Sequence, residues 1–179
     1  MTPLVQNVTD FLSATTVAGG FLAVFLLLVL IAPPRGKGWR RDVVDFFSDF
    51  SIELAFLTAL AGLIGSLFYS NIAGFVPCLL CLWQRVFLYP QVVILGIALI
   101  TKDNGVRKYS IALSAIGALI ATYHTYLQFG GTSLINCAAS GVGCEHVYFM
   151  EFGYVTIPTM ALTAFALIII FLLFRPSER

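Results

Sequence analysis

Five apolar runs, Val17–Ala32, Ile52–Asn71, Cys81–Thr101, Tyr109–Phe129 and Val155–Phe174, alternate with short polar or mixed segments. About 20 consecutive apolar residues is the length of a helix that crosses a bilayer. Inside lipid every backbone N–H and C=O needs an internal partner, and a helix supplies one within each segment. The chain therefore reads as an all-α membrane protein: a four-helix transmembrane bundle plus one extra N-terminal transmembrane helix. With 59% hydrophobic and 11% charged residues, its 179 residues are too apolar for a soluble domain. A net charge of +1 gives no basis for nucleic-acid binding.

Residues 1–51 form an N-terminal anchor and a basic linker. The first 15 residues are polar to mixed and contain no Lys or Arg. A cleaved signal peptide carries positive charge ahead of its apolar run. Here only Asp10 precedes the run, while Arg35, Lys37, Arg40 and Arg41 follow it, so the run reads as a retained anchor. In Asp42–Phe50, Val43, Val44, Phe46, Phe47 and Phe50 recur at helical spacing among three aspartates. That pattern fits a short interfacial helix or the first turn of the next span.

Residues 52–179 hold the other four spans, at about 52–71, 81–101, 109–129 and 155–174. Ala55, Ala59, Gly62 and Ser66 form a small-residue stripe in the first of them. Ser114, Ala118 and Thr122, with Gly117 and Ala121, form another in the third; such stripes let helices pack closely. Pro90 is a possible kink, and Pro158 interrupts the last span.

The basic residues cluster after the first span, between the third and fourth, and after the fifth. The two cysteine-bearing loops contain no Lys or Arg. By the positive-inside rule the basic segments are cytoplasmic. Five spans then put the N-terminus outside, the C-terminus inside and both cysteine loops on the external face. Charge bias and span parity agree independently, and the cysteines meet on the oxidising side of a cell membrane.

Those cysteines carry the chemistry. Cys78 and Cys81 form a Cys-x-x-Cys behind Pro77, with Gln84 and Arg85 following in an apolar run. Two thiols at this spacing cycle between dithiol and disulfide. A helix starting near Cys78 offers unpaired N–H groups that favour a thiolate. Arg85, four residues after Cys81, shares its helical face. A charge within a span costs about 2.5–3.5 kcal/mol on insertion scales, so Arg85 calls for a functional reading beside the bland one, snorkelling to lipid phosphate. The second pair, Cys137 and Cys144, lies in a glycine-rich loop from Gly130 to Tyr148, with glycines at 130, 131, 141 and 143 that make it mobile. Two inert disulfides would make poor use of a Cys-x-x-Cys, which closes a very small loop. A four-thiolate zinc site lacks its second Cys-x-x-Cys. In the redox reading, the loop pair exchanges electrons with a soluble partner and the helix pair passes them into the membrane.

The run Pro77-Cys78-x-x-Cys81-x-x-Gln84-Arg85 resembles the hallmark of the DsbB/BdbC family of disulfide bond formation proteins, which are quinone-coupled membrane thiol oxidoreductases. The resemblance covers about residues 50–175, including a last span opened by Tyr154-Val155-Thr156-Ile157-Pro158. Phe87-Leu88-Tyr89-Pro90 and the Tyr123-His124 pair are closer to the BdbC branch. The resemblance implies that Cys137 and Cys144 accept electrons from a soluble or tethered thioredoxin-fold oxidase of the DsbA/BdbD kind, with Cys137 forming the mixed disulfide. Cys144 then passes electrons through an interloop disulfide with Cys78. By the same resemblance Cys81 is the thiolate that contacts quinone, ubiquinone or menaquinone, and Arg85 binds a quinone oxygen with Gln84 beside it. His124 is a further candidate for the quinone pocket, set against a plain polar role in the bundle. His146, two residues after Cys144, is a solvated loop histidine or a modulator of that thiol. The chain departs from the family pattern in the short Cys137–Cys144 separation and in the extra first span.

The function expected from this reading is re-oxidation of an extracytoplasmic thiol oxidase with delivery of electrons to a membrane quinone. Two alternatives stand beside it: an epoxide-reductase-like quinone-linked oxidoreductase, in which the order of the cysteine pairs is reversed, and a non-enzymatic scaffold held by structural disulfides.

Overall fold

A computed structural model describes residues 2–31, 38–133, 137 and 142–174. Its elements are α1 (Pro3–Ile31), α2 (Trp39–Asp49), α3 (Ser51–Leu67), α4 (Leu79–Thr101), α5 (Val106–Gln128) and α6 (Ile157–Leu173). A single π-helical turn, Phe68–Ile72, extends α3. α1, α3 with its π turn, α4 and α5 are long and apolar enough to cross a membrane. α6, with 17 residues, is at the short limit for a span. The protein is a multi-pass membrane protein built of helices.

Neighbouring helices run antiparallel and close a ring. α3 packs on α4 and α6, α5 packs on α4 and α6, and α1 lies outside the ring along α6. Leu26, Ala55, Ala59, Leu95, Ala121, Phe165 and Ile168 are fully buried between these helices. Leu28, Ile100 and Leu119 face outward, as lipid contact requires. Close approach depends on glycine at two points. A Cβ at Gly117 would lie 2.3 Å from the Phe165 ring, and one at Gly62 would lie 2.9 Å from Leu88.

Several boundaries differ from the sequence reading. The first helix begins at Pro3 rather than near Val17, with proline in its first turn where no N–H is needed. Thr9 and Ser13 are fully buried on its inner side, so this half is polar in composition yet helical and packed. α2 and α3 are separate helices meeting at Phe50, which favours a distinct short helix over a first turn of the next span. Pro158 sits in the first turn of α6 and starts that helix instead of interrupting it. Pro77 precedes the cap of α4, and α4 runs on through Pro90. On α5 the buried stripe is Ser114, Gly117 and Ala121; Thr122 is exposed.

One end of the bundle carries Arg40, Arg41, Lys102, Arg107 and Lys108; the other carries the cysteines. Arg40 donates to the Val29 carbonyl through Nε (3.1 Å) and Nη2 (2.8 Å), capping the end of α1. Arg107 is buried and donates to the carbonyls of Leu172 (3.2 Å) and Phe174 (2.6 Å) and to Ser51 Oγ (2.6 Å). It thereby ties the starts of α5 and α3 to the end of α6, and at that end of α6 a cation suits the helix dipole. Arg35, Lys37, Gly141, Arg175 and Arg179 lie outside the described residues.

Candidate functional site: two cysteine pairs and an apolar cavity

The segment before α4 is extended, and Cys78 (φ −73°, ψ 172°) is the N-cap residue of the helix. Its Sγ takes the place that a serine or aspartate oxygen usually fills, 3.5 Å from the backbone N–H of Cys81. One helical turn brings the Cys81 Sγ within 3.2 Å of the Cys78 Sγ, and neither is disulfide-bonded. Cys137 and Cys144 form a disulfide, with Cα atoms 5.6 Å apart. That bond excludes a four-thiolate metal site in this state. Among the described residues, Cys78, Cys81 and His124 form a compact donor set, their ligand atoms all within 4.8 Å of one another.

His124, on α5, joins the two pairs. Its Nε2 lies 3.5 Å from Cys78 Sγ and 3.1 Å from the Cys144 carbonyl oxygen. A carbonyl only accepts, so the proton belongs on Nε2. The neutral ring then accepts at Nδ1, and the Gln84 side-chain amide lies 3.1 Å away to donate there. Gln84 and His124 are both buried. Their partnership orients the imidazole so that its one N–H faces both the Cys144 carbonyl and the Cys78 sulfur. Cys78, Leu80 and Leu127 pack with Cys137 and Cys144 into one small apolar cluster. The hydrogen bond from the Cys81 thiol, followed by the hydrogen bond from His124, holds the Cys78 thiol well below the ordinary thiol range, against burial, which pushes it up. The N–H donors of Cys81 and His124 both converge on Cys78, which is why the negative charge of the pair settles there.

A cavity of about 440 Å³ adjoins the dithiol, within the range of small-molecule sites. Cys81, Gln84 and Arg85 line it from α4, Ser66 and Tyr69 from α3, and Met160 from α6. Arg85 donates through Nε to Ser66 Oγ (2.8 Å) and through Nη2 to the Ser66 carbonyl (3.1 Å) and Ser70 Oγ (3.1 Å). Nη1 takes part in none of these bonds. Tyr89 donates to Ser66 Oγ at 3.2 Å and braces the same serine. The arginine is therefore anchored inside the bundle on α3 rather than reaching toward a headgroup.

The six sequence-derived candidates other than His124 fall into two groups: the four cysteines in the redox cluster, with Cys81 on the cavity edge, and Gln84 and Arg85 on the cavity wall. His124 sits on the far side of the dithiol, between the pairs, and is not part of the cavity wall. His146 is exposed and stacks edge-on against Tyr148, 4.6 Å between ring centres. Ser66, Ser70 and Tyr89 were missed as site residues. Their signal was hydroxyls at i, i+4 spacing inside an apolar span, on the face that small residues had already marked.

A family model for the disulfide bond formation protein DsbB matches residues 48–175. The chain belongs to the DsbB family. It is 44% identical over 127 residues to disulfide bond formation protein C of Bacillus subtilis (strain 168), covering 70% of this chain and 91% of that protein. It is 40% identical over 128 residues to the SPbeta prophage-derived disulfide bond formation protein B of the same strain, covering 72% and 83%. A probable disulfide formation protein C 2 of Bacillus cereus (strain ATCC 10987 / NRS 248) is 32% identical over 136 residues, covering 76% and 97%. No solved structure matches the chain. As a DsbB-family protein it has a role in disulfide bond formation, and its paired cysteines make it a thiol–disulfide oxidoreductase.

Proposed function

We propose that this DsbB-family protein re-oxidises an extracytoplasmic thioredoxin-fold oxidase and delivers the electrons to a membrane quinone. The observation that carries the reading is the meeting of both cysteine pairs at His124, beside a cavity that holds Cys81 and Arg85. A thiolate of the reduced partner attacks Cys137, forming a mixed disulfide and releasing Cys144 as thiolate. Cys144 attacks Cys78 of the oxidised helix pair, and Cys81 leaves as thiolate. Resolution by the partner's second thiol frees the oxidised partner. Cys137 and Cys144 regain their disulfide by displacing Cys78, which leaves a Cys78/Cys81 dithiol. Loss of two electrons and two protons from that dithiol restores its disulfide. Exchange of this kind needs the sulfurs adjacent and one of them ionised, as the helix cap and His124 favour at Cys78.

A quinone supplies the two-electron, two-proton acceptor. The residues present fit one: the cavity is mostly apolar, with a cation and a thiol at one end. Arg85 offers its remaining N–H groups to a carbonyl oxygen, and Gln84 keeps its amide on His124. The unbonded Cys78 and Cys81 speak against a scaffold of structural disulfides. The basic end of the bundle faces the cytoplasm in this reading and the cysteine end faces outward.

A Cys144→Ser variant tests the thiol half. With a reduced thioredoxin-fold partner it accumulates a mixed disulfide through Cys137 that resists resolution. Trapping through Cys78 instead would reverse the roles of the pairs. Reporter fusions in the loop around Cys137 and in the turn after Lys102 test orientation; a cytoplasmic signal from the former overturns it.

A further inference from the structure

The helix that the family match leaves out forms part of the acceptor cavity. α1 lies wholly before residue 48, where the matched region begins. An anchor alone would touch the bundle through an apolar stripe and leave the cavity to α3, α4 and α6. Instead Leu12, Thr15, Thr16 and Leu22 line the cavity from α1. Two contacts mark this placement, one tight at Gly19 and one at ordinary van der Waals distance at Gly65. A Cβ at Gly65 would lie 3.7 Å from Leu12, and one at Gly19 would lie 3.1 Å from Leu167 and 3.4 Å from Thr163. Above them the Tyr69 hydroxyl is 3.5 Å from Thr9 Oγ1. α1 is thereby registered against α3 and α6 along the cavity's depth.

The lining residues also give the cavity a direction. Leu12 lies beside Gly65, next to the serine that anchors Arg85. Leu22, ten residues further along α1, is about 15 Å deeper at the helical rise. Leu54 and Leu57 line the same deep end from α3. The Thr15 and Thr16 hydroxyls are both bonded to the Leu12 carbonyl, at 2.9 and 2.7 Å. Their polar atoms are satisfied within the helix, so the wall needs no polar partner from a ligand. The polar end with Cys81 and Arg85 is thus followed by a long apolar slot walled on one side by α1.

We propose that α1 supplies one wall of a channel for the isoprenoid tail of the quinone, so that this helix sets the protein's selectivity for tail length. The proposal rests on the quinone reading above and deepens it. A tail lying along Leu12, Thr16 and Leu22 gains affinity from apolar contact with α1, whereas the ring is held by residues of α3 and α4.

The test measures acceptor reduction by the full-length protein in nanodiscs, with reduced partner in excess. A long-tailed quinone and a tailless naphthoquinone serve as acceptors. Thr16→Trp and Leu22→Trp narrow the slot; Thr16→Leu is a milder second variant; Phe21→Ala, on the outward face at 75% exposure, is the control. The expected result is a KM for the long-tailed quinone raised about tenfold or more by each tryptophan and about threefold by Thr16→Leu. The KM for the tailless acceptor and the mixed-disulfide yield should stay within twofold. Equal KM increases for both acceptors would mean general distortion and would overturn the tail assignment, as would unchanged values for both. If the unaltered protein reduces neither quinone, the quinone reading itself fails, which these outcomes keep separate.

Discussion

Arg85 and Arg107 are both arginines buried or half-buried in apolar helices, and their surroundings assign them different work. Arg107 closes on carbonyls that a helix end leaves unpaired, those of Leu172 and Phe174, and on Ser51 Oγ. Its hydrogen bonds join three helices. Among the described residues Arg85 bonds to α3 and its π turn, at Ser66 and Ser70, and lies on the wall of a cavity that also holds a thiol. A cation inside a membrane protein is therefore not in itself a sign of function. What matters is whether its donors are consumed by the protein's own backbone or presented to a space that another molecule can enter.

Substitution by methionine, which preserves length and apolar packing, should separate the two. Arg85→Met is expected to lower the acceptor-dependent turnover about 100-fold, as for loss of one preorganised donor to a developing negative charge, roughly 2.7 kcal/mol. Its mixed-disulfide formation with the partner should be unchanged. Stopped-flow absorbance of the acceptor checks this, and a fall of less than threefold would remove Arg85 from acceptor binding. Arg107→Met is expected to lower stability by about 2–3 kcal/mol, because buried carbonyls lose a charged donor. The acceptor KM of the protein that remains folded should be unaltered. Chemical denaturation in detergent gives the first quantity; an altered KM with normal stability would erase the distinction.

His124→Ala sharpens the comparison from the thiol side. The Cys78 pKa is lowered, so its thiolate persists as pH falls below the ordinary thiol value and is lost only near the lowered pKa. For an ordinary thiol, near 8.5, the thiolate fraction falls about tenfold per pH unit below that value. Alkylation of Cys78 by iodoacetamide should therefore be nearly flat from pH 8 to pH 6 in the reduced protein. In His124→Ala the lowered pKa rises, and the rate should begin to fall at the acid end of that range, by less than the roughly hundredfold of an ordinary thiol because the Cys81 bond remains. Identical profiles would show that the helix cap and Cys81 suffice. The smallest effect is expected from Ser66→Ala, which removes one hydroxyl partner of Arg85: an acceptor KM about threefold to tenfold higher, corresponding to about 0.5–1.5 kcal/mol.

Much of this arrangement was legible in the chain. The four later spans appear as apolar runs because lipid imposes length and hydrophobicity directly. The dithiol and the Arg85 face follow from i, i+3 and i, i+4 spacing on one helix. The beginning of α1 was hidden because Gln6, Thr9, Asp10 and Ser13 lower its apolar signal, although Thr9 and Ser13 point into the bundle. Pro158 was misread because proline breaks a helix in its interior but suits its first turn, and only the boundary at Ile157 distinguishes the two. The contact of Gln84 with His124 joins residues 40 apart in sequence, so no local pattern announces it. The same holds for Ser66 beneath Arg85, 19 residues away. The pairing of α1 with the cavity was inaccessible for a stronger reason: helix-to-helix placement in lipid depends on packing detail, such as Gly19 against Leu167, that hydropathy does not encode.

The central claim is that electrons leave the protein from the Cys78/Cys81 dithiol into the cavity beside Arg85. Its most direct test is quinone consumption by the purified protein, driven by a reduced thioredoxin-fold partner, with Cys81→Ser alongside. One quinone should be reduced per partner dithiol oxidised, and none in the variant even though the Cys137–Cys144 disulfide still engages the partner. Quinone consumption that survives in Cys81→Ser, or a partner oxidised by the native protein with no quinone reduced, would contradict it.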